Sequence, residues 1–333
     1  MNQKYSIDIV CSTDDNYIMP TGVMLTSLFE NNKGIEELKV YLLGENISDE
    51  NKEELKKIGE EYGRDVEVID VPKLNIPPSL VSARWPLSAF TRLFSGVILP
   101  SDVERILYLD CDTIITGDIS ELENVEFNGN IAMGVKDCIS GTYKKNVGLD
   151  TDSPYINAGV ILFDMDALRK VNINVEIENY MKKYEKLINY ADQDILNGMF
   201  KGKIGELTPR YDVMTIDVVH TYEEIQQLRR PTNFYGKEEL QKAVKAPAII
   251  HYTTNMLVIR PWFSNTDHPF AGEFKKYMDI SAWKNRELKE MVFNSKVAKV
   301  IKAIMMLPKG IAYKALGLIH AELKPKYISM RTK

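Results

Sequence analysis

Arg105-Ile106-Leu107-Tyr108-Leu109-Asp110-Cys111-Asp112 decides how this chain is read. The apolar run within it reads as a buried strand. It closes on two carboxylates one residue apart. Side chains at i and i+2 of an extended segment point the same way, so both acids would reach one edge of a sheet. Such a pair can grip a single hard cation and suits Mg2+ or Mn2+ holding a diphosphate.

The bare spacing recurs at Asp150/Asp152, Asp164/Asp166 and Asp192/Asp194. The first of these follows Val147-Gly148-Leu149 and leads into Ser153-Pro154, so it reads as a turn. Asp164/Asp166 ends the apolar run Val160–Phe163, but Asp166 precedes Ala167-Leu168-Arg169-Lys170 and reads as a helix N-cap. Asp110/Asp112 alone lies between two apolar runs, with Thr113-Ile114-Ile115-Thr116 after it. A metal site and a strand-end turn both remain open for it on this context.

Working outward, strands and helices alternate. Strands are expected at Ile7–Cys11, Leu38–Leu43, Val66–Val71 and Arg105–Leu109, with helices over Thr21–Asn32, from Ser48 to Tyr62, and over Leu87–Leu99. Ser48 is placed to cap its helix and Gly63 to stop it. The second half is less regular: a strand at Asn157–Phe163, helices at Val175–Tyr190 and Asp192–Phe200, an irregular or extended stretch at Thr208–Val218, a strand from Pro247 to His251, and a helix at Gly272–Trp283. Such alternation predicts an α/β fold with a mostly parallel central sheet and helices on both faces. In such sheets ligands bind beyond the carboxyl ends of the strands. Asp14, Asp110 and His251 all follow apolar runs, which makes them candidates for one site.

The chain has 333 residues, 44% hydrophobic and 27% charged, which suits one large α/β domain with an appendage. Cys11, Cys111 and Cys138 are too few and too scattered for a disulfide framework or a zinc site, so a reducing compartment is expected. Met1-Asn2-Gln3-Lys4 runs into an apolar stretch too short for a signal peptide, and no window reaches the length of a membrane span. The net charge of −5 is unevenly spread: residues 294–333 carry nine Lys/Arg and one acid, Glu322, against a strongly acidic remainder. The expected organisation is a catalytic domain over 1–283 and a basic, partly amphipathic tail over 284–333. On a helix from Lys296 to Leu307, Val297, Val300, Ile301, Ile304 and Met305 share one face and Lys296, Lys299 and Lys302 lie on the other side. That reads as an element for an anionic membrane surface, or as a helix packed on its own domain. Nucleic acid is not an expected partner.

His251 is one of four histidines. With Asp110 and Asp112 it completes a donor set that suits Mn2+ better than Ca2+; alone it reads as a structural strand-end histidine. Asp14-Asp15-Asn16-Tyr17 reads as an Asx-turn loop or as a nucleotide pocket with a stacking tyrosine. Neither a Gly-x-Gly-x-x-Gly fingerprint nor a P-loop is present, so phosphate charge must be met by metal and basic side chains. Arg260, before Pro261-Trp262, is the basic candidate, or else a surface arginine packed on the tryptophan. Asp192-Gln193-Asp194 opens a helix as a capping cluster or a site. Gly159 after Asn157-Ala158 permits close approach of a ligand or backbone.

Taken together these segments resemble family 8 glycosyltransferases, the retaining enzymes that include bacterial lipopolysaccharide galactosyl- and glucosyltransferases. The matching motifs are Ser12-Thr13-Asp14-Asp15-Asn16-Tyr17, Tyr108-Leu109-Asp110-Cys111-Asp112, Tyr155-Ile156-Asn157-Ala158-Gly159-Val160, Asp192-Gln193-Asp194-Ile195-Leu196-Asn197, and His251 with Arg260-Pro261-Trp262. They span residues 5–262. The resemblance implies a GT-A fold, a UDP-sugar donor with Mn2+ or Mg2+, and a glycan or lipid-linked acceptor in surface polysaccharide synthesis. The cysteine usage and the basic tail together lead to an expected cytoplasmic, peripheral position on the inner face of the cell membrane. The resemblance implies nucleotide contacts from Thr13, Asp14, Asn16, Tyr17, Arg92, Asp110 and Cys111. Asp110, Asp112 and His251 would be the metal ligands and Arg260 the diphosphate contact. Donor-sugar contacts would come from Arg92, Asp137, Asn157, Ala158, Asp192 and Gln193, with Gln193 and Asp192 nearest the chemistry.

One departure stands out. The family's closing motif has a glycine-containing loop and a lysine, whereas the loop from Tyr252 to Ile259 has no glycine, is longer, and ends in Arg260. Arginine binds phosphate as a fork rather than as a point charge. Two rival readings follow from the same residues. One is a phosphatase of the haloacid-dehalogenase type, which also uses Asp-x-Asp after a strand. The other is a non-catalytic UDP-sugar-binding protein.

Overall fold

β1 (Ser6–Asp14), α1 (Ile18–Asn31), β2 (Glu37–Glu45), α2 (Asp49–Tyr62) and β3 (Asp65–Asp70) open the computed structural model, which describes residues 6–74, 76 and 87–331. The ends of the two expected domain ranges, 1–5 and 332–333, lie outside the described residues. The short-range signals work as expected in this half. The Ser48 hydroxyl accepts from Asn51 N–H, and Gly63 turns the chain out of α2 at φ 63°. α1 starts earlier than Thr21 because Pro20, in its first turn, forfeits only an N–H that no intrahelical carbonyl would have met.

After a short α3 (Ser95–Ile98) come β4 (Arg105–Asp110), β5 (Thr113–Ile115), β6 (Ala132–Lys136), α4 (Gly141–Asn146), β7 (Ile156–Asp164), α5 (Met165–Arg169), α6 (Ile173–Tyr184) and α7 (Ala191–Met199). The single helix expected over Leu87–Leu99 is instead a 3-10 stretch, Leu87–Phe94, followed by α3. Thr91 and Ser95 donate their hydroxyls to the carbonyls of Ser88 and Arg92, a local competition that suits the tighter turn. The expected helix to Tyr190 ends at Tyr184, because the N–H groups of Asn189 and Tyr190 turn onto the Asp194 carboxylate.

β8 (Ile204–Glu206), β9 (Val213–Met214), α8 (Thr215–Val219), α9 (Tyr222–Arg229), α10 (Lys237–Lys245), β10 (Ile249–His251) and α11 (Ala271–Met278) complete the main body. The stretch expected to be irregular or extended at Thr208–Val218 thus holds a 3-10 turn, β9 and α8. Then follow α12 (Lys296–Met305), α13 (Lys309–Gly317), a π-helical stretch (Leu318–Leu323) and α14 (Lys324–Arg331).

A seven-stranded sheet runs β3-β2-β1-β4-β7-β6-β8, and a three-stranded sheet runs β5-β10-β9. β1, β2, β3 and β4 are mutually parallel neighbours, while β7 runs antiparallel to both β4 and β6. Period-two geometry divides the buried strands between two cores. Leu107, Leu109, Val160 and Leu162 join α1 on one face; Ile106, Tyr108, Ile161 and Phe163 join α6 and α7 on the other. The large sheet is therefore covered on both sides.

β4 and β5 belong to different sheets and are separated only by Cys111-Asp112. The chain leaves the large sheet at Asp110 and enters the small one at Thr113. In the small sheet, β10 sets His251 opposite Thr113, and Tyr252 N–H donates to the Asp112 carbonyl at 2.9 Å. The junction of the two sheets is where the site lies.

The apolar face read along residues 296–307 is split. Ala298 is buried and Ile304 packs toward Leu228, Ala312 and Tyr313. Val297, Val300 and Met305 instead turn outward among Lys296, Lys299 and Lys302. α13, the π-helical stretch and α14 pack on the body through α9 and α4. Ser140 Oγ donates to the Ala321 carbonyl at 2.8 Å, and Asn146 Nδ2 to that of Pro325 at 2.9 Å.

Candidate active site

Asp110 and Asp112 do meet at one point, although not as neighbours on an extended strand. Cys111-Asp112 form a turn, which the Thr113 hydroxyl closes by donating to the Asp110 carbonyl at 2.8 Å. His251 Nε2 lies 3.1 Å from Asp112 Oδ1 and 3.8 Å from Asp110 Oδ2. One ligand atom from each of the three residues falls within 4.8 Å of the others, a spread that one cation can span. Burial of the Asp112 carboxyl opposes its ionisation, but His251 and Arg260 outweigh that and hold its pKa down at about 2. Burial likewise opposes charge on His251, yet Asp212 and Asp112 raise its pKa well above the ordinary imidazole range.

Gly159 explains how the three can approach. A Cβ there would lie 2.1 Å from His251 Cε1 and 2.9 Å from Asp110 Oδ2. The imidazole rests directly on the β7 backbone, so no residue with a side chain fits.

Two arginines bracket the acids. Arg92 Nη2 donates to Asp110 Oδ1 at 2.8 Å, and its Nε lies 3.1 Å from Asp192 Oδ2. Its Nη1 donates to the Ala158 carbonyl, and its guanidinium lies over the Tyr108 ring at 4.4 Å. Arg92 thus ties the metal-candidate acid to the first turn of α7. Asp192 is buried, and desolvation pushes its carboxyl up to about 6 despite Arg92. Arg260 Nη2 sits 3.3 Å from Asp112 Oδ2 and donates to Thr254 Oγ1 at 2.9 Å. Its Nη1 donates to the Tyr17 hydroxyl at 2.9 Å, and its guanidinium packs 5.2 Å from the Trp262 ring centroid. Packing on the tryptophan and reaching the site therefore coexist.

Gln193 is the hub of a second cluster. Its Oε1 accepts from Asn157 Nδ2 and Ala158 N–H, both at 3.2 Å, while its Nε2 donates to Asp137 Oδ2 at 2.9 Å. Ala191, two residues before, adopts φ 38°, a left-handed geometry that costs a residue with a Cβ about 1 kcal/mol or more. The capping cluster divides. Asp192 pairs with Arg92 and Gln193 with Asn157 and Asp137, whereas Asp194 accepts from the Tyr143 and Tyr155 hydroxyls, each at 2.6 Å, and anchors the turn into α7.

Asp14 serves its own loop: Oδ1 accepts from Asn16 N–H at 2.9 Å and Tyr17 N–H at 3.2 Å. That is the Asx-turn reading, and it aims Tyr17 at Arg260. Thr13 accepts from the Thr21 hydroxyl at 2.8 Å. Burial raises the Cys111 thiol well above its ordinary pKa, so it stays protonated beside the acids.

Sequence reasoning missed several contributors. Asp212, fully buried before β9, accepts from or shares a proton with His251 Nδ1 at 2.9 Å. Thr254 holds Arg260. Asn197 clasps the β7 backbone at Ile156, donating to its carbonyl at 2.9 Å and accepting its N–H at 2.8 Å. A signal for Asn197 was present in the quoted Asp192–Asn197 motif; none pairs Asp212 with a histidine 39 residues away.

Residues 8–266 match the family described as glycosyl transferase family 8. General stress protein A of Bacillus subtilis is 27% identical over 286 residues, covering 85% of this chain and 96% of that protein. A lipopolysaccharide 1,2-glucosyltransferase of Escherichia coli K12 is 25% identical over 292 residues, covering 86% and 81%. Among solved structures, the galactosyltransferase LgtC in complex with donor and acceptor sugar analogs superposes with a TM-score of 0.67. It shares 24% identity, with 83% of this chain and 96% of that one covered, and establishes the fold as GT-A-like.

Proposed function

The chain belongs to glycosyl transferase family 8, and from that premise we propose that it moves a hexose, galactose or glucose, from a UDP-sugar to a glycan or lipid-linked acceptor with retention of configuration. The observation that carries this reading is the convergence of Asp110, Asp112 and His251 between Arg92 and Arg260, beside the Gln193 cluster. Membership of this family replaces the phosphatase alternative.

Two carboxylates and an imidazole fit Mn2+ or Mg2+, and Asp110, Asp112 and His251 would hold it. When bound, such an ion supplies positive charge to the diphosphate as the bond to the sugar breaks. The chain's own groups do the rest. Arg260 adds a second fixed positive charge on the leaving-group side, where stabilisation counts most in the transition state. Tyr17, held by Arg260, offers a ring for the uracil, and Asp14 and Asn16 offer hydrogen-bonding groups beside it. Asp137, Asn157 and the Ala158 backbone fix the Gln193 amide, which with Asp192 would face the sugar hydroxyls. Arg92 keeps Asp192 and Asp110 in register with each other.

The test is a panel of UDP-sugars with Mn2+, read as UDP release with and without acceptor. Release above background for one hexose donor is expected; no release and no UDP binding across the panel overturns the reading. UDP binding without turnover over a broad acceptor panel would favour the non-catalytic alternative.

For the tail we propose contact with an anionic membrane surface through α12. Val300 is 58% exposed and Met306 87% exposed next to Lys299 and Lys302, an arrangement suited to acidic headgroups over an acyl boundary. No helix among the described residues is long and apolar enough to cross a membrane. Full-length protein should float with anionic liposomes, and Val297→Asp with Val300→Asp should abolish flotation; equal flotation of the variant overturns this.

A further inference from the structure

The loop from Tyr252 to Ile259 carries Arg260 at its end, yet it has no glycine to let it fold back. Its turn is made by Met256 at φ 46°. A side chain in that left-handed region is held there only when its surroundings over-determine it. Part of the surroundings comes from the C-terminal helices and part from α9. Met256 packs on the cluster of Leu228, Ala312 and Tyr313, and Ile304 packs on the same cluster.

Asn255, 1% exposed, makes the polar half of this attachment. Its Nδ2 lies 3.2 Å from His220 Nε2, and its Oδ1 accepts from Arg229 Nη2 at 3.5 Å. Each of those partners reaches on into the C-terminal helices. His220 Nδ1 lies 3.3 Å from the Tyr313 hydroxyl of α13, with the two rings edge-on at 5.3 Å. Arg229 Nη1 lies 2.9 Å from Nε2 of His320, which belongs to the π-helical stretch; that same nitrogen is 3.2 Å from the Tyr190 hydroxyl. Both imidazoles are kept neutral by burial, His220 down to about 4 and His320 down to about 3. Each ring therefore offers one donor and one acceptor nitrogen, which gives the chain of hydrogen bonds a fixed sense.

On its other side the same short segment holds the candidate donor contact. Thr254, next to Asn255, accepts from Arg260 Nη2 at 2.9 Å. Residues 254–256 therefore touch the arginine with Thr254, reach the C-terminal helices from Asn255 through His220 and Arg229, and pack on the Leu228, Ala312 and Tyr313 cluster with Met256. π-Helical segments are uncommon and occur frequently at functional sites, and this one presents His320 to the link.

We propose that α13 and the π-helical stretch clamp the loop 252–259, and that Asn255, Tyr313 and His320 are positioning residues that hold Arg260 in place for the diphosphate. The clamp makes the C-terminal helices part of the donor site rather than an accessory to it. It rests on the reading of Arg260 as the diphosphate contact.

The test uses the full-length chain and calorimetric titration of UDP in saturating Mn2+, with Mn2+ binding alone followed by electron paramagnetic resonance. Asn255→Ala should weaken UDP binding about tenfold, since a buried partner set loses its centre. Tyr313→Phe combined with His320→Ala removes only the distal ends of the link and should weaken UDP binding several-fold, raising KM for the UDP-sugar more than it lowers kcat. Mn2+ binding in the absence of UDP should stay within about twofold, because no loop residue is among the candidate ligands. Unchanged UDP affinity in either variant overturns the clamp; should Asn255→Ala fail to fold, the double variant alone decides. A wild-type chain that binds no UDP with Mn2+ overturns the donor reading and the clamp with it. Wild-type binding with unaffected variants overturns the clamp alone.

Discussion

The ends of β4 and β7 carry the same short pattern, an acid, one residue, and an acid, after an apolar strand. Their fates differ. β4 and β7 are antiparallel neighbours, with Arg105 paired to Asp164, so Asp110 and Asp164 finish at opposite edges of the sheet. At one edge Asp110 and Asp112 meet His251, Arg92 and Arg260. At the other, Asp164 accepts from Ala167 N–H at 2.9 Å and caps α5, while Asp166 stands in the first turn, exposed and 3.8 Å from Arg169. The cap is therefore Asp164, one acid earlier than the sequence pattern suggested. Strand direction, which no local pattern records, decides which acid pair can become a site and which finishes a helix.

Exchanging the two pairs' chemistry should break the comparison most visibly. Asp110→Asn or Asp112→Asn is expected to lower metal-dependent UDP-sugar turnover by about 100-fold or more, as loss of one such electrostatic contact commonly does. Asp164→Asn and Asp166→Asn should leave turnover within about twofold. Near-normal turnover in both β4 variants would remove the metal assignment.

Gly159→Ala attacks the same edge without replacing a candidate ligand. Its methyl would strike the His251 ring, so metal affinity measured by calorimetry should fall about tenfold or more. Unchanged affinity would mean that the ring can move aside at little cost.

Acid titration sharpens the contrast further. Asp112 is held at about 2 against an ordinary carboxylate value of 3.8. A depressed carboxyl contributes stability above the unfolded pKa and loses it as pH falls through the folded one. Metal-free wild type and Asp166→Asn should therefore both lose on the order of 2 kcal/mol between pH 4 and pH 2 that Asp112→Asn does not lose, read by denaturant unfolding at each pH. Parallel curves for all three would show that the ion pairs of Asp112 carry no net stability.

The smallest effect belongs to the β7 pair as a cap. Asp164→Ala should cost about 1 kcal/mol of unfolding free energy with turnover intact, whereas Asp166→Ala should stay within about 0.5 kcal/mol. Equal losses for both would mean that Asp166 shares the cap.

Much of the candidate site was legible because its polar residues interrupt apolar runs. Asp110, Asp112, His251, Asn157 and Gln193 each sit at or near a strand or helix boundary; the first three come together in one group, and Asn157 pairs with Gln193 in another. Asp14 was legible as a loop former and is one. Elements that fail to follow their sequence pattern do so where side chains compete with the backbone. Thr91 and Ser95 tighten the expected helix over Leu87–Leu99, and Asp194 draws in the N–H groups that would have extended α6. Asp212 and Asn255 carried no signal, because neither follows a recognisable run and their partners lie 39 and 35 residues away.

By itself the sequence determined the alternation from β1 to β3, the buried strand β4 and the stock of carboxylates, arginines and imidazole available to a site. Those follow from steric preference and hydrophobic periodicity, which act over a few residues. Only the tertiary structure decided that β7 runs backwards, that Asp110-Cys111-Asp112 bridges two sheets, that Gly159 makes room for His251, and that α13 and His320 stand behind the loop of Arg260. Charge interaction and packing depend on distance in space, and chain separations of tens of residues do not report it.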